Sequence, residues 1–162
     1  MRVEAEPVRS ILFVCTGNIC RSPTAEGVFR ALAAEAGLLD GLRVDSCGLT
    51  SFHVGEPPSR PAIEHAAKRG YDLAALRARA FAPADFERFD LLLAMDDGHY
   101  AQLARRASAE ARRKVAFFLD AAPDAPRRDV PDPYYGGAAE YELALDLIEA
   151  GCRGWIERLR AA

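Results

Sequence analysis

The chain has 162 residues, half of them apolar, and a formal net charge of −3 at pH 7. That length and apolar fraction suit one domain with a single sizeable core and exclude wholesale disorder. The mild charge provides no concentrated basic excess to attract a nucleic acid or a membrane surface, and basic runs such as Arg105-Arg106 and Arg112-Arg113-Lys114 read as solvated helix faces.

Residues 1–9, which include two glutamates and a proline, read as a flexible N-terminal extension rather than a signal peptide. Ile11 to Val14 is a short continuous apolar run, expected to be a central strand buried on both faces. Ser22-Pro23 then reads as an N-cap followed by proline at the first helical position. Ala25, Val28, Phe29, Leu32, Ala33 and Ala36 continue at helical spacing up to Gly37. Arg43 to Cys47 fits a second strand, and a helix is expected from about Pro61 to Gly70. Leu91 to Met95 reads as a third strand with a helix after it, through about Ala107, and Val115 to Leu119 as a fourth strand. After a proline-rich segment, Tyr141, Leu145, Ile148, Cys152, Trp155, Ile156 and Leu159 define one face of a final helix. Strands and helices alternate without a dividing linker or an internal repeat, so the expected architecture is a small α/β domain with a parallel sheet. No apolar run approaches the length that spans a bilayer.

In such sheets, ligands gather beyond the carboxyl ends of strands, near a switch in strand order. Cys15 and the Met95-Asp96 pair are both expected at such ends. The segment "CTGNICRSP", Cys15 to Pro23, is a strand-to-helix turn whose backbone N–H groups, Thr16 through Ser22, can curl around one point ahead of a helix dipole. Gly17 and Asn18 tolerate the positive φ such a curl needs. Arg21 adds a planar guanidinium able to grip two oxygens of a phosphate. Together these read as an oxyanion cradle. At its base, a helix N-terminus and a cation favour Cys15 as a thiolate, placed for in-line attack on phosphorus, with Ser22 able to donate a hydrogen bond to the sulfur. The string needed for a Walker A loop is absent, and His53, His65 and His99 are isolated, so no metal site is expected.

Expulsion of an alkoxide or phenoxide from phosphorus is slow unless a proton leaves with it. In "DVPDPYYGG", Asp132 is clamped between Pro131 and Pro133 and followed by Tyr134-Tyr135, whose rings can flank an aromatic leaving group. Asp129 is the rival carboxylate, without the double-proline clamp.

"CTGNICRSP" and "DPYYG", with "VDS" at Val44–Ser46, "VGEPP" at Val54–Pro58, "ADFERFD" at Ala84–Asp90 and "AMD" at Ala94–Asp96, resemble the low-molecular-weight protein tyrosine phosphatases over nearly the whole chain. The resemblance implies a three-layer fold with a four-stranded parallel sheet and helices on both faces. It also implies hydrolysis of phosphotyrosine through a cysteinyl-phosphate, without metal or other cofactor. By the same resemblance Cys15 is the nucleophile, Arg21 binds phosphate, and Asp132 is the general acid and then the general base. Thr16, Gly17, Asn18, Ile19, Cys20 and Ser22 form the loop, with Ser46 helping Asn18 hold its shape. Phe52, His53, Tyr134 and Tyr135 form the pocket wall, and Cys20 matches a second cysteine able to trap an oxidised nucleophile as a disulfide.

Three positions depart from the family pattern. Phe52-His53 stands where many bacterial members have Trp-His. Cys47, expected in the core of the second strand, replaces a usual alanine. His99 falls where asparagine is common and is expected on the surface or at a helix cap. Ile19 separates the chain from the protein-arginine phosphatases, which carry threonine there. His65 is expected on a helix surface. Arginine phosphatase and arsenate reductase are the alternative activities on this fold. Arsenate reductases, however, need two further cysteines close in sequence, and here Cys47 and Cys152 are far apart. A catalytically silent phosphopeptide-binding module would lack Cys15 or Asp132. The expected partners are a phosphotyrosine protein and inorganic oxyanions, with the chain a monomer or weak homodimer. The four scattered cysteines suit a reducing cytoplasm, with export lacking a signal peptide left open.

Overall fold

The computed structural model describes residues 7–161; the first six residues of the expected N-terminal extension lie outside that range. In chain order the elements are β1 (Ser10–Cys15), α1 (Arg21–Glu35), β2 (Arg43–Gly48), α2 (Arg60–Lys68), α3 (Asp85–Arg88), β3 (Leu91–Ala94), α4 (Asp97–Arg106), α5 (Ala109–Arg112), β4 (Val115–Phe117), a 3₁₀ turn (Phe118–Ala121) and α6 (Ala138–Ala161). The four strands form one parallel sheet in the order β2-β1-β3-β4.

β1 is buried along its whole length, as its unbroken apolar run predicts. Successive side chains point to opposite faces of a strand. Ile11, Phe13 and Cys15 therefore pack with α1 and α6, while Leu12 and Val14 pack with Phe86 of α3 and Leu103 of α4. The result is the expected three-layer α/β fold. Cys47 is fully buried on the α3/α4 side, a core residue of β2.

Two boundaries and two short helices differ from the sequence reading. α1 begins at Arg21, with Cys20 at its N-cap position, so Ser22 and Pro23 lie inside the first turn. Proline is tolerated there because first-turn N–H groups have no intrahelical partner. Ser22 is spared for a different contact, described below. β4 stops at Phe117. The expected last residues of that strand turn instead into 3₁₀ geometry, where Phe118 presents its ring edge to Phe13 (5.8 Å, 76°) and its carbonyl to the indole N–H of Trp155 (2.6 Å). α3 and α5 are single turns that the sequence reading did not include.

α6 lies against the 3₁₀ turn with little room to spare. A Cβ on Gly154 would sit 1.9 Å from the Ala121 carbonyl oxygen, which is backbone and cannot swing aside. Helix propensity alone favours alanine over glycine by about 1 kcal/mol. The opposite sign is expected for Gly154→Ala: a loss of about 3 kcal/mol, visible as a lower urea midpoint at unchanged m. A neutral or stabilising result would mean that α6 does not dock this closely.

The strand order reverses direction at β1: β2 adds on one side and β3 on the other. The carboxyl ends of β1 and β3 therefore flank a crevice at the switch point. Cys15 ends β1, and Met95-Asp96 follow β3 directly. The backbone bond from Val130 N–H to the Met95 carbonyl (2.9 Å) brings the proline-rich segment to the same place.

Candidate active site

The loop from Cys15 to Arg21 curls over the end of β2. Asn18 takes the left-handed conformation (φ 59°), and it alone among non-glycine residues of the described chain does so. Gly17, expected to share that role, does not have positive φ. Its missing side chain instead lets the His53 ring approach, since a Cβ there would be 3.0 Å from His53 Cδ2. Gly48, at the end of β2, gives way to the loop itself: a Cβ would meet Thr16 O at 2.8 Å and Gly17 C at 2.9 Å. Among the described residues, the backbone N–H groups of Thr16 through Cys20 have no protein acceptor, while that of Ser22 points at Cys15 Sγ (3.4 Å).

A buried chain of hydrogen bonds fixes which way each donor points. The Arg79 backbone N–H donates to Asn18 Oδ1 (3.0 Å), so the amide nitrogen of Asn18 must face the other way. Its two hydrogens go to Ser22 Oγ (2.7 Å) and Ser46 Oγ (2.9 Å). Ser46 donates in turn to Glu26 Oε1 (2.7 Å). Ser22 Oγ, already accepting from Asn18, turns its own proton toward Cys15 Sγ at 2.9 Å rather than the more distant Cys47 carbonyl at 3.3 Å. The sulfur thus receives both an O–H and an N–H. Glu26, one helical turn after Ser22, was not among the sequence candidates. Burial pushes its carboxyl up, opposed by the Ser46 hydroxyl and by Arg30.

Arg21 is almost completely buried, and its guanidinium joins three parts of the chain. Nη1 donates to Asp96 Oδ2 (2.8 Å) and to the Val130 carbonyl (3.0 Å), while Nη2 lies 3.5 Å from Thr16 Oγ1 and 3.6 Å from Asp132 Oδ2. Burial works against the Asp96 carboxylate. The His99 N–H, the His99 ring and Arg21 outweigh it and hold the carboxyl below its usual range. Asp96 also caps α4 by accepting from the His99 backbone N–H (2.9 Å). Only its position after β3 drew attention to it in the sequence.

Asp132 sits half exposed in the Pro131–Pro133 turn, and its Oδ1 accepts from the Tyr134 backbone N–H (3.0 Å). The rival Asp129 accepts from the Asp97 N–H at the start of α4 (3.2 Å) and does not line the cleft. Cys15, Arg21 and Asp132 thus share one cleft of about 300 Å³, with Ile19, Phe52 and His53 also on its wall. The two tyrosines after Asp132 meet edge to face (4.8 Å, 88°), and Tyr134 lies 6.4 Å from the His53 ring, which is paired with Glu56. Phe52 is 84% exposed and Tyr135 94%, so both stand at the mouth, while Cys15, 2% exposed, forms the floor.

Two histidines differ from expectation. His99 is buried, not on the surface: its Nε2 meets Thr16 Oγ1 at 2.8 Å. His65 is only 12% exposed, stacked on Tyr141 (5.6 Å, 5°) and bonded to Glu142 (2.7 Å). Cys20 Sγ faces Ser59 (3.3 Å) and Tyr141 (3.7 Å), and burial pushes its thiol up despite those two contacts.

Comparison with known proteins points to one family. Residues 10–162 match the family described as "Low molecular weight phosphotyrosine protein phosphatase". A Synechocystis sp. protein named as a candidate low molecular weight protein-tyrosine-phosphatase is 46% identical over 143 residues, 88% of this chain and 90% of its own. A protein tyrosine phosphatase of Entamoeba histolytica, solved with Hepes in its active site, superposes with a TM-score of 0.91 at 33% identity, covering 94% of this chain and 97% of that one. The tyrosine phosphatase Wzb of Escherichia coli K30, solved with sulphate, gives 0.80 at 32% identity over 94% of this chain and 99% of its own.

Proposed function

Because the chain belongs to the low molecular weight phosphotyrosine protein phosphatase family and is a phosphoric monoester hydrolase, we propose that it hydrolyses phosphotyrosine in proteins through a cysteinyl-phosphate, without a metal ion. The reading takes the chain as one catalytic domain. The observation that carries it is the cleft itself: a sulfur on the floor, a guanidinium beside it, and the Asp132 carboxyl 3.6 Å from that guanidinium, delivered from the far end of the chain.

Phosphate oxygens would occupy the ring of unengaged loop N–H groups and the Nη2 side of Arg21. The Cys15 thiolate then attacks phosphorus in line. An S–P bond forms as the P–O bond to the phenol breaks, and the leaving oxygen takes the Asp132 proton. In the second half Asp132, now a carboxylate, accepts a proton from water as that water attacks phosphorus. The S–P bond breaks, and the Ser22 hydroxyl and N–H receive the sulfur as an anion. Glu26, Ser46 and Asn18 serve by holding Ser22 in its donor orientation.

The substrate reading rests on shape. A floor residue 2% exposed beneath rim aromatics suits a phosphate held away from the backbone by a ring. Ile19 on the wall suits that ring better than a guanidinium. Cys20 as a trap for oxidised Cys15 belongs to the same proposal, and its turn toward Ser59 and Tyr141 means the trap needs a side-chain rotation. The four free cysteines, all buried, fit a reducing cytoplasm. Among the described residues no helix is long and apolar enough to cross a membrane.

The test is hydrolysis of phosphotyrosine, phosphoserine and phosphoarginine peptides side by side, with and without EDTA. Phosphotyrosine should be cleaved fastest and equally with the chelator. Loss of activity in EDTA would overturn the thiolate mechanism, and a preference for phosphoarginine would overturn the substrate.

A further inference from the structure

We propose that His99 is a positioning residue for Arg21, acting through the Thr16 hydroxyl and the Asp96 carboxylate. The proposal rests on the phosphatase reading of the cleft. His99 is 3% exposed, and nothing in the chemistry above uses it. Its ring closes a circuit of four groups. Nε2 is 2.8 Å from Thr16 Oγ1, which lies 3.5 Å from Arg21 Nη2; Arg21 Nη1 is 2.8 Å from Asp96 Oδ2; and Asp96 Oδ1 is 3.1 Å from His99 Nδ1. The last contact is out of line, so Nδ1 interacts with the carboxylate electrostatically without a formed hydrogen bond.

The direction of each bond follows from charge. Burial first, then Arg21, pushes the imidazole down to about 4 against the pull of Asp96 and Asp132, so the ring is neutral at pH 7. A neutral imidazole has one N–H. On Nε2, that proton would leave the Nδ1 lone pair facing the Asp96 anion, which is repulsive. On Nδ1, it faces the carboxylate and makes Nε2 an acceptor for the Thr16 hydroxyl. The hydroxyl proton is thereby drawn away from the cleft, and the oxygen's lone pairs are left for Arg21. Thr16 then holds one end of the guanidinium and Asp96 the other. Asparagine, with its amide at the height of Nδ1, can reach Asp96 but not Thr16. Glutamine, with its amide at the height of Nε2, can reach Thr16.

The experiment compares His99→Gln, His99→Asn and His99→Leu for kcat and KM on an aryl phosphate and for inhibition by inorganic phosphate. Thermal unfolding is followed alongside. His99→Leu should lower kcat/KM about tenfold and raise the phosphate inhibition constant by a similar factor, since the guanidinium loses its alignment. His99→Asn should behave like leucine, and His99→Gln should recover to within about threefold of the parent. Adding His99→Leu to Thr16→Val should cost much less than it does alone, because the hydroxyl through which it acts is already gone. The glutamine–asparagine contrast carries the test even where leucine impairs folding. Glutamine as poor as asparagine at equal thermal stability, or full additivity with Thr16→Val, would overturn the proposal. So would parent-like phosphate inhibition in all three variants. An inactive parent enzyme would instead sink the phosphatase reading beneath it.

Discussion

Cys15→Ser will abolish turnover of an aryl phosphate, by about 10⁴-fold or more, while inorganic phosphate or vanadate still binds the loop. The reason lies in what surrounds the sulfur. A thiolate needs no base at the moment of attack, because it has already lost its proton. A serine hydroxyl in the same place would need an acceptor for its proton, and the two nearest groups, Ser22 Oγ at 2.9 Å and Ser22 N at 3.4 Å, are both oriented as donors. His99, buried behind Thr16 and not on the cleft wall, spends its Nε2 on the Thr16 hydroxyl. A site built to hold an anion by donation has no means of making an alkoxide. Burst and steady-state kinetics on nitrophenyl phosphate, with isothermal titration of phosphate into the variant, read both halves of the prediction. Residual turnover within tenfold of the parent would remove Cys15 from the nucleophile's role.

Asp132→Asn should cost about 10²–10⁴-fold with phenyl phosphate or phosphotyrosine and about tenfold or less with nitrophenyl phosphate. Asparagine keeps an oxygen to accept the Tyr134 N–H and so preserves the turn, but it has no proton to give at neutral pH. A nitrophenolate leaves readily without one; a phenolate does not. The diagnostic quantity is the slope of log kcat/KM against leaving-group pKa, which steepens in the variant. An equal loss across leaving groups would reduce Asp132 to a shaping residue in the loop.

The parts of the fold legible in the sequence are those whose signal is local. The unbroken apolar run of β1 and the one-sided pattern of α6 announce themselves within a window of residues. α3 and α5, at four residues each, are too short to complete a helical repeat, and the turn at Phe118 is imposed by Trp155 from α6, 37 residues away. The site divides the same way. Cys15, Arg21 and Ser22 fall within eight consecutive positions of one loop, and Asp132 is marked by its flanking prolines. Glu26, Asp96 and His99 gain their meaning from partners 20, 75 and 83 residues distant, Ser46, Arg21 and Thr16. A histidine in a helix that begins Asp-Gly-His looks solvated until the sheet brings β1 beside β3. The Gly17 expectation failed for a related reason: loop handedness was shared between two residues on propensity, but only Asn18 has the side chain that three other segments hold in place.

The guanidinium bond to the Val130 carbonyl makes catalysis a late event in the life of the polypeptide. Every strand pairing here is parallel, so none can form by a tight hairpin, and the last part of the cleft to be synthesised is the stretch just before α6. A nascent chain that ends before residue 130 leaves the arginine one acceptor short. Regain of hydrolysis after dilution from denaturant therefore reports completion of the native topology, whereas regain of helical dichroism reports only its beginning.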